Sequence, residues 1–164
     1  MKTQKLNIFI VDDNKLMDLS LKQYLERRFG SNVNVSVFYD GESCLEKLDK
    51  STNIVILDYF LDSVNKYAKN GLEILRSIKK MNPKTEVIML SSNENIGVAI
   101  ESFREGASDY IVKDNNAFSK LLSLIIEPIK KMVEEFGVPK FLVIFLLVFS
   151  AMGAVVYWAM SLFP

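Results

Sequence analysis

The sequence predicts an α/β fold, in which a doubly wound sheet of five parallel strands is covered by helices on both faces. Two observations lead to this prediction. Short apolar runs of three to six residues, typical of buried strands, alternate along the chain with longer segments whose apolar residues recur at helical spacing. This alternation of strand and helix occurs five times, and it is the pattern of βαβ units, which build parallel sheets.

Each predicted strand is an apolar run bounded by polar or turn residues. The first, Leu6–Val11, is apolar at nearly every position and stops at two aspartates. The second alternates Val33, Val35 and Val37 with polar residues, as expected for a strand with one solvated face. The other three strands are predicted at Ile54–Leu57, Val87–Leu90 and Tyr110–Val112.

The predicted helices have apolar residues three and four positions apart. Gly30 follows the first helix and Gly106 the fourth, and glycine readily adopts the left-handed backbone that ends helices. Pro128 lies inside the last helix, where its missing N–H predicts a kink. The five predicted segments are Asn14–Phe29, Glu42–Lys50, Leu72–Lys80, Asn95–Glu105 and Asn116–Phe136.

The composition excludes several kinds of chemistry. The chain has 164 residues with 20 basic and 20 acidic side chains, so it lacks the basic excess typical of proteins that bind nucleic acid. It has no histidine, which excludes a histidine-based triad, a histidine metal site and phosphohistidine on this chain. Its single cysteine, Cys44, excludes an internal disulfide and a cysteine zinc site.

The charges are unevenly spread, and the last 24 residues, 141–164, carry none. As a helix this segment would be about 36 Å long, which fits a tilted span across a bilayer core about 30 Å thick. The alternative is a buried core helix, which needs more surrounding protein than this chain supplies because it is apolar on every face. We therefore predict a soluble domain over residues 1–136, a linker over 137–140 and a transmembrane tail over 141–164.

Residues at the two ends of the predicted span orient it. Tyr157 and Trp158 lie near the far end, where such rings favour the membrane interface, and three lysines precede the near end: Lys130, Lys131 and Lys140. By the positive-inside rule the near side faces the cytoplasm, so we expect a cytoplasmic-facing domain anchored in the cell membrane. The N-terminus does not have the pattern of a signal peptide.

The sequence also bears on the partners. Ser150, Gly153 and Ala154 are small residues of the kind that let membrane helices approach closely, which makes a homodimer one alternative. Neither a helix-turn-helix nor a basic recognition helix follows the α/β domain. We expect the output to pass through contacts with a downstream protein, through dimerisation or through placement at the membrane, and not through nucleic acid.

Five chemically active side chains stand directly after predicted strands: Asp12 and Asp13 after the first, Asp58 after the third, Ser91 after the fourth and Lys113 after the fifth. Because ligands of open parallel sheets bind at the carboxyl ends of the strands, these side chains are expected to converge. Three neighbouring carboxylates need a cation, and hard oxygen ligands suit Mg²⁺. A carboxylate beside Mg²⁺, with a hydroxyl and an amine nearby, has the chemistry to accept a phosphoryl group.

Each of these residues also has an ordinary structural interpretation. Asp13 or Asn14 is a candidate N-cap of the first helix, and Ser91 or Ser92 is a candidate N-cap of the fourth. Lys113 alone is typical of a solvated surface. The chemical interpretation is favoured because the residues occur together, each at the expected strand end.

At these positions the chain resembles the receiver domain of two-component response regulators, over about residues 5 to 127. The resemblance implies a flavodoxin-like sheet with the strand order 2-1-3-4-5. The matching residues, in the family's order and spacing, are Asp12, Asp13, Asp58, Ser91, Tyr110 and Lys113.

The resemblance implies a role for each of these residues. Asp58 would accept the phosphoryl group, and Mg²⁺ would be held by Asp12, Asp13, Asp58 and the backbone carbonyl of Phe60. The donor would be a sensor histidine kinase or a phosphotransfer protein, since this chain has no histidine of its own.

The resemblance implies two further roles at the ends of the fourth and fifth strands. Ser91 and Lys113 would contact the phosphoryl oxygens. Tyr110 would swing inward together with Ser91 on phosphorylation, which would change the surface of the fourth helix and the fifth strand.

The sequence departs from the family pattern at two places. Asp114 follows Lys113 where the family usually has proline, often with a cis bond, so the local loop is expected to differ. Gly71 comes 13 residues after Asp58, which is a longer spacing than usual. The extra loop is either an inert insertion or a modulator of partner choice or phosphate lifetime, and its charged residues are Asp62, Lys66 and Lys69.

Two other functions remain open from sequence. A hydrolase of the haloacid dehalogenase kind would need a second aspartate two positions after Asp58, where this chain has Phe60. The other alternative is a receiver-like scaffold that does not switch. The missing proline and the long loop are compatible with it.

Overall fold

The computed structural model describes residues 5–61, 69–92 and 94–136. These contain the strands β1 (Leu6–Val11), β2 (Val33–Phe38), β3 (Thr52–Asp58), β4 (Glu86–Ser91) and β5 (Asp109–Val112). They also contain the helices α1 (Lys15–Phe29), α2 (Gly41–Lys47), α3 (Gly71–Met81), α4 (Ile96–Arg104) and α5 (Ala117–Phe136). Several predictions concern residues outside the described ranges, namely Asp62, Lys66, the linker 137–140 and the tail 141–164.

The five strands form one parallel sheet with the order β2-β1-β3-β4-β5. Residues 6–11 of β1 pair with residues 33–38 of β2, and residues 8–11 pair with residues 54–57 of β3. β4 then pairs with β3 on one side and with β5 on the other. This arrangement confirms the predicted α/β sheet and the strand order that the resemblance implies. It places the ends of β1 and β3 side by side.

The sheet is buried on both faces, as a doubly wound fold requires. One face carries Val11, Val55 and Met89, which belong to a core cluster with residues of α2 and α3 such as Cys44 and Ile74. Because successive strand side chains alternate between faces, their neighbours point to the other side of the sheet. Those neighbours are at most 1% exposed: Ile8, Ile10, Ile54 and Ile56.

Side-chain caps set the start of two helices. The Asp40 carboxylate accepts a hydrogen bond of 2.7 Å from the Ser43 N–H at the start of α2. At α3, the Asn70 side chain accepts from the Glu73 N–H at 3.1 Å, and the Glu73 carboxylate accepts from the Asn70 N–H at 3.0 Å. This reciprocal capping box fixes α3, the helix that follows the long loop.

The helix ends follow the predicted glycines with one difference. Gly30 and Gly106 have φ angles of +53° and +95°, the left-handed conformation expected after a helix. Helix α2 ends at Lys47 instead of the predicted Lys50, because Leu48 is extended and turns its side chain into the core. Pro128 lies inside α5, as predicted. Across the three described stretches, no helix is long and apolar enough to cross a bilayer.

The buried thiol of Cys44 provides a test of this fold. Its side chain is 0% exposed on α2, and burial raises its pKa to about 12. Since the thiolate is the reactive form, we expect Cys44 to react with a disulfide reagent such as DTNB only after unfolding, at least about a thousandfold more slowly in native buffer than in guanidinium. Rapid stoichiometric labelling of the native chain would contradict the packing of α2.

Candidate functional site

The sheet topology brings the predicted site residues to one edge. Asp12 and Asp13 follow β1, and Asp58 is the last residue of β3, the neighbouring strand. Ser91 is the last residue of β4, and Lys113 follows β5 directly. All of them therefore lie at the carboxyl ends of the strands, where the sequence analysis placed them.

The three aspartates form a compact cluster. Asp12, Asp13 and Asp58 each offer a carboxylate oxygen, and these oxygens lie within 4.8 Å of one another. Asp12 and Asp58 are buried, at 2% and 4% exposure, whereas Asp13 is partly exposed. The cluster thus has two closed sides and one side that opens toward solvent.

Lys113 bridges the two buried carboxylates. Its Nζ donates to Asp12 Oδ2 and to Asp58 Oδ2, both at 2.6 Å. Its backbone N–H donates to the Ser91 carbonyl at 2.8 Å, which ties the start of the following loop to the end of β4. Lys113 is itself mostly buried, with its side chain 17% exposed. The lysine therefore joins β1, β3 and β4 at one point.

Burial and ion pairing act in opposite directions on these groups. Burial raises the pKa of the Asp58 carboxyl above its usual range, although the hydrogen bond from Lys113 acts to lower it. Burial also disfavours the Lys113 ammonium, but its hydrogen bonds to Asp12 and Asp58 prevail and raise its pKa. The lysine accordingly stays charged and holds the two carboxylates together.

The second oxygen of each buried carboxylate is held by the backbone that follows it. Asp12 Oδ1 accepts from the Asn14 N–H at 2.8 Å, and Asp58 Oδ1 accepts from the Phe60 N–H at 3.3 Å. Phe60, predicted to supply a backbone carbonyl to a metal, therefore lies directly beside the acceptor candidate. These turns fix the orientation of both carboxylate groups.

The alternative role of Ser91 or Ser92 as a helix cap is wrong. Asn95 caps α4, and its side-chain oxygen accepts from the Gly97 N–H at 2.8 Å. Ser91 instead ends β4 and is 0% exposed. Tyr110, on β5, is partly buried and packs against the core cluster shared with α2 and α3.

The loop after Lys113 is ordered without a proline. In the described part of the chain no peptide bond is cis. The Asp114 carboxylate accepts from the Asn116 N–H at 2.8 Å and from Lys120 Nζ at 2.9 Å, and the Asp114 carbonyl accepts from the Ala117 N–H at 3.0 Å. Asp114 thereby connects the loop to the first turn of α5. The loop still places Lys113 in contact with both carboxylates, although Asp114 stands where the family usually has proline.

Gly71 is a site residue that the sequence analysis used only to mark the end of a loop. A Cβ at Gly71 would lie 2.1 Å from the backbone oxygen of Asp58, and its N–H donates to the Tyr59 carbonyl at 2.8 Å. Helix α3 thus begins in contact with the backbone of the acceptor candidate. The Asn70–Gly71 pair in the sequence is the only signal of this close approach.

Asp18 was also missed. It lies in the first turn of α1, is 2% exposed, and its charge interacts with those of Asp12, Asp58 and Lys113. In sequence it resembles an ordinary acidic residue near a helix start, and only its burial shows that it differs.

The cluster fits a divalent cation better than it fits the lysine alone. Three carboxylates face one ammonium, so negative charge is left over at a mostly buried position. Mg²⁺ takes oxygen ligands from one or two carboxylates and keeps several waters, which the open side at Asp13 allows. The residues present therefore suit Mg²⁺ bound beside Asp58.

Comparison with known proteins places the chain in a family. Residues 8–126 match the response regulator receiver domain. The chain is 28% identical over 137 residues to a protein-glutamate methylesterase/protein-glutamine glutaminase of Treponema denticola, a match that covers 82% of this chain and 35% of that protein. It is 32% identical over 109 residues to the transcriptional regulatory protein CpxR of Escherichia coli, with 66% of this chain and 43% of that protein covered.

A solved structure agrees. The BeF3-activated receiver domain of DrrB, from Thermotoga maritima, is 27% identical with a TM-score of 0.61, over 79% of this chain and 98% of that chain. The present chain spans less than half the length of both curated relatives.

The chain belongs to the response regulator receiver domain family, since the family match covers well over half of it. It is a phosphoacceptor domain of two-component signalling. Receiver domains bind Mg²⁺ at an acidic pocket, which here corresponds to the cluster of Asp12, Asp13 and Asp58. They interact with histidine kinases or phosphotransfer proteins, and they can dimerise.

The contact between Gly71 and Asp58 yields a prediction. Gly71→Ala is expected to lower the free energy of unfolding by about 2 to 4 kcal/mol, because the added methyl overlaps backbone atoms of Asp58 and Tyr59, which shift less readily than the end of a flexible side chain. Chemical denaturation measures the change. Ser77→Ala, on the same helix but without such a contact, is the control and is expected to change stability by less than about 1 kcal/mol. Equal stability of the two variants would refute the close approach.

Proposed function

We propose that this chain receives a phosphoryl group on Asp58 from a phosphohistidine of a partner histidine kinase or phosphotransfer protein. The observation that carries the assignment is the position of Asp58 in the site. Asp58 ends the central strand β3, is buried, shares Lys113 with Asp12, and lies within the three-aspartate cluster. Asp12 and Asp13 belong to the loop after β1, so Asp58 is the carboxylate that approaches the cluster from a separate strand.

The proposed step is an in-line phosphoryl transfer. An oxygen of the ionised Asp58 carboxylate attacks phosphorus, an O–P bond forms, and the N–P bond of the phosphohistidine breaks. The electron pair of the broken bond returns to the imidazole nitrogen, which takes a proton from solvent. Hydrolysis resets the site, because attack of water on phosphorus releases inorganic phosphate and restores the carboxylate.

Residues of the chain prepare this step. Asp12, Asp13, Asp58 and the backbone carbonyl of Phe60 would hold Mg²⁺. When bound, Mg²⁺ supplies positive charge that offsets the charge of the phosphoryl oxygens. Lys113 holds the Asp58 carboxylate in place through its 2.6 Å hydrogen bond. From this position its ammonium group would donate a hydrogen bond to an oxygen of the phosphoryl group.

The switch is proposed to involve the neighbouring strands. Asp58, the last residue of β3, pairs with Leu90 of β4. Ser91 follows Leu90 and therefore ends β4 beside Asp58. Its hydroxyl is proposed to contact the phosphoryl group, with Tyr110 moving inward in response. The changed surface of α4 and β5 would then bind the downstream protein.

We propose no free substrate and no enzymatic turnover beyond self-dephosphorylation. The methylesterase relative is an enzyme by name, but this chain spans 35% of it, and its activity is a property of that whole protein. Membership of the receiver family also favours phosphoacceptance over a dehalogenase-type hydrolase, whose second aspartate is replaced by Phe60.

The assignment of Asp58 is tested by direct labelling. The full chain, incubated with acetyl phosphate and Mg²⁺, is expected to gain one phosphoryl group by mass spectrometry, and chelation of Mg²⁺ is expected to abolish the gain. Asp58→Asn removes the nucleophilic oxygen and should reduce labelling at least about a hundredfold. The control is Asp109→Asn, since Asp109 lies at the opposite end of β5 and an amide retains its bond to the Tyr110 N–H.

Two results would contradict the proposal. Labelling that persists in Asp58→Asn would place the acceptor elsewhere. Absence of labelling in the native chain, together with no Mg²⁺-dependent change in tyrosine fluorescence on addition of beryllofluoride, would instead favour the scaffold that does not switch.

We further propose that residues 141–164 anchor the domain at the cytoplasmic face of the cell membrane. The proposal is supported by the 24 uncharged residues and by the lysines that precede them. Through the linker at 137–140, the receiver domain would be held close to the lipid headgroups, and pairing of tails through Ser150, Gly153 and Ala154 would bring two receivers together.

The single tryptophan makes the anchor testable. Because Trp158 is the only tryptophan, the tryptophan emission of the full chain, excited at wavelengths that tyrosine does not absorb, reports on the tail alone. We expect a blue-shifted emission in phosphatidylcholine–phosphatidylglycerol vesicles and protection from acrylamide. The full chain should float with the vesicles, and a chain ending at Lys140 should remain in solution. Flotation of the shortened chain, or an unshifted Trp158, would refute the anchor.

A further inference from the structure

Asp18 is an exception among the buried polar groups of the described residues. Thr85 donates from its hydroxyl to the Thr52 carbonyl at 3.0 Å, and Ser102 donates to the Val98 carbonyl at 2.8 Å. Within residues 5–61, 69–92 and 94–136, Asp18 Oδ2 is the single buried side-chain nitrogen or oxygen without a hydrogen-bond partner. The side chain is 2% exposed, so bulk solvent does not supply the missing partner.

The place of Asp18 in the helix does not account for this burial. An acidic residue in the first turn of a helix is favoured by the helix dipole and by hydrogen bonds from free N–H groups. An exposed Asp18 would gain that benefit at little cost. Burying a carboxylate oxygen without a partner is unfavourable. An interaction made when a ligand is bound nearby would offset this unfavourable burial.

The surroundings of Asp18 identify that interaction. The charged groups that act on it are Asp12 and Asp13 from the end of β1, Asp58 from the end of β3, and Lys113 from the end of β5. All four belong to the site described above. Asp18 is not part of the trio whose oxygens lie within 4.8 Å, so it stands outside the direct ligand set.

We propose that Asp18 is a fourth carboxylate of the divalent-cation site, which strengthens cation binding through its charge from outside the direct ligand set. This inference rests on the proposed function, because it assumes that Asp12, Asp13 and Asp58 hold the cation. Without the cation, Asp18 adds to an excess of negative charge. With the cation, the same charge becomes favourable.

The protonation of Asp18 is consistent with this role. Burial, together with the charge of Asp12, raises its pKa from 3.8 to about 7, although the charge of Lys113 acts in the opposite direction. A bound cation favours the ionised carboxylate, so cation binding should release a proton from Asp18 at neutral pH. The contribution of Asp18 is therefore largest above its pKa and fades below it.

The test measures cation affinity directly, without phosphorylation. Binding of Mn²⁺ to the full chain in detergent is followed by the loss of the free Mn²⁺ signal in electron paramagnetic resonance. At about pH 8, Asp18→Asn is expected to bind Mn²⁺ about tenfold more weakly than the native chain. At about pH 5.5, where Asp18 is protonated, the difference should narrow to about twofold or less.

Three further variants complete the design. Glu26→Gln removes an exposed acid from the same helix and should bind Mn²⁺ like the native chain at both pH values. Asp18→Glu keeps the charge and should retain most of the affinity. Asp18→Ser replaces Asp18→Asn as the uncharged variant should the latter fail to fold, which thermal unfolding checks.

The outcomes distinguish a failure of the role of Asp18 from a failure of the cation site itself. Equal affinity of Asp18→Asn and the native chain at about pH 8 overturns the role of Asp18 while leaving the cation site intact. An equal loss at both pH values indicates a structural effect and also overturns it. Failure of the native chain to bind Mn²⁺ at all removes the proposed cation site itself.

Discussion

The site depends on one ammonium group placed between two buried carboxylates. Asp12 follows β1 and Asp58 ends the adjacent strand β3, both with very little solvent around them, and each would be unfavourable to bury as a lone charge. Lys113 meets both at 2.6 Å and makes their burial tolerable. The arrangement still leaves more negative than positive charge. This excess makes the site suitable for a divalent cation.

The features that position Lys113 are spread over several elements. Its backbone N–H is held by the carbonyl of Ser91, and the following residue, Asp114, is tied to the first turn of α5 through Asn116 and Lys120. Hydrogen bonds accepted by a polar residue thus order a loop in which the family usually has proline. A different local chemistry can therefore maintain the same side-chain geometry, provided that the loop has enough bonds to fix its backbone.

Sequence reasoning predicted the sheet and the main site residues because both follow from local patterns. Apolar runs mark the strands, and in a parallel sheet the residues at the carboxyl ends of the strands share one edge, so the sequence alone places Asp58, Ser91 and Lys113 together. The strand order came from the resemblance. Asp18 and Gly71 were missed for a common reason. Their importance lies in a buried environment and in a 2.1 Å approach between segments, neither of which has a local sequence pattern.

The long sequence separation within the site has a consequence for how the protein matures. The bonds from Lys113 to Asp12 and Asp58 close loops of 101 and 55 residues, and β5 lies at the edge of the sheet, paired with β4 alone among the described strands. Contacts between residues so far apart form late, because the entropy of closing the loops must be overcome first. During synthesis the acidic residues emerge well before the lysine that neutralises them. The charge-balanced site is therefore complete only once β5, and the lysine that follows it, have joined the sheet.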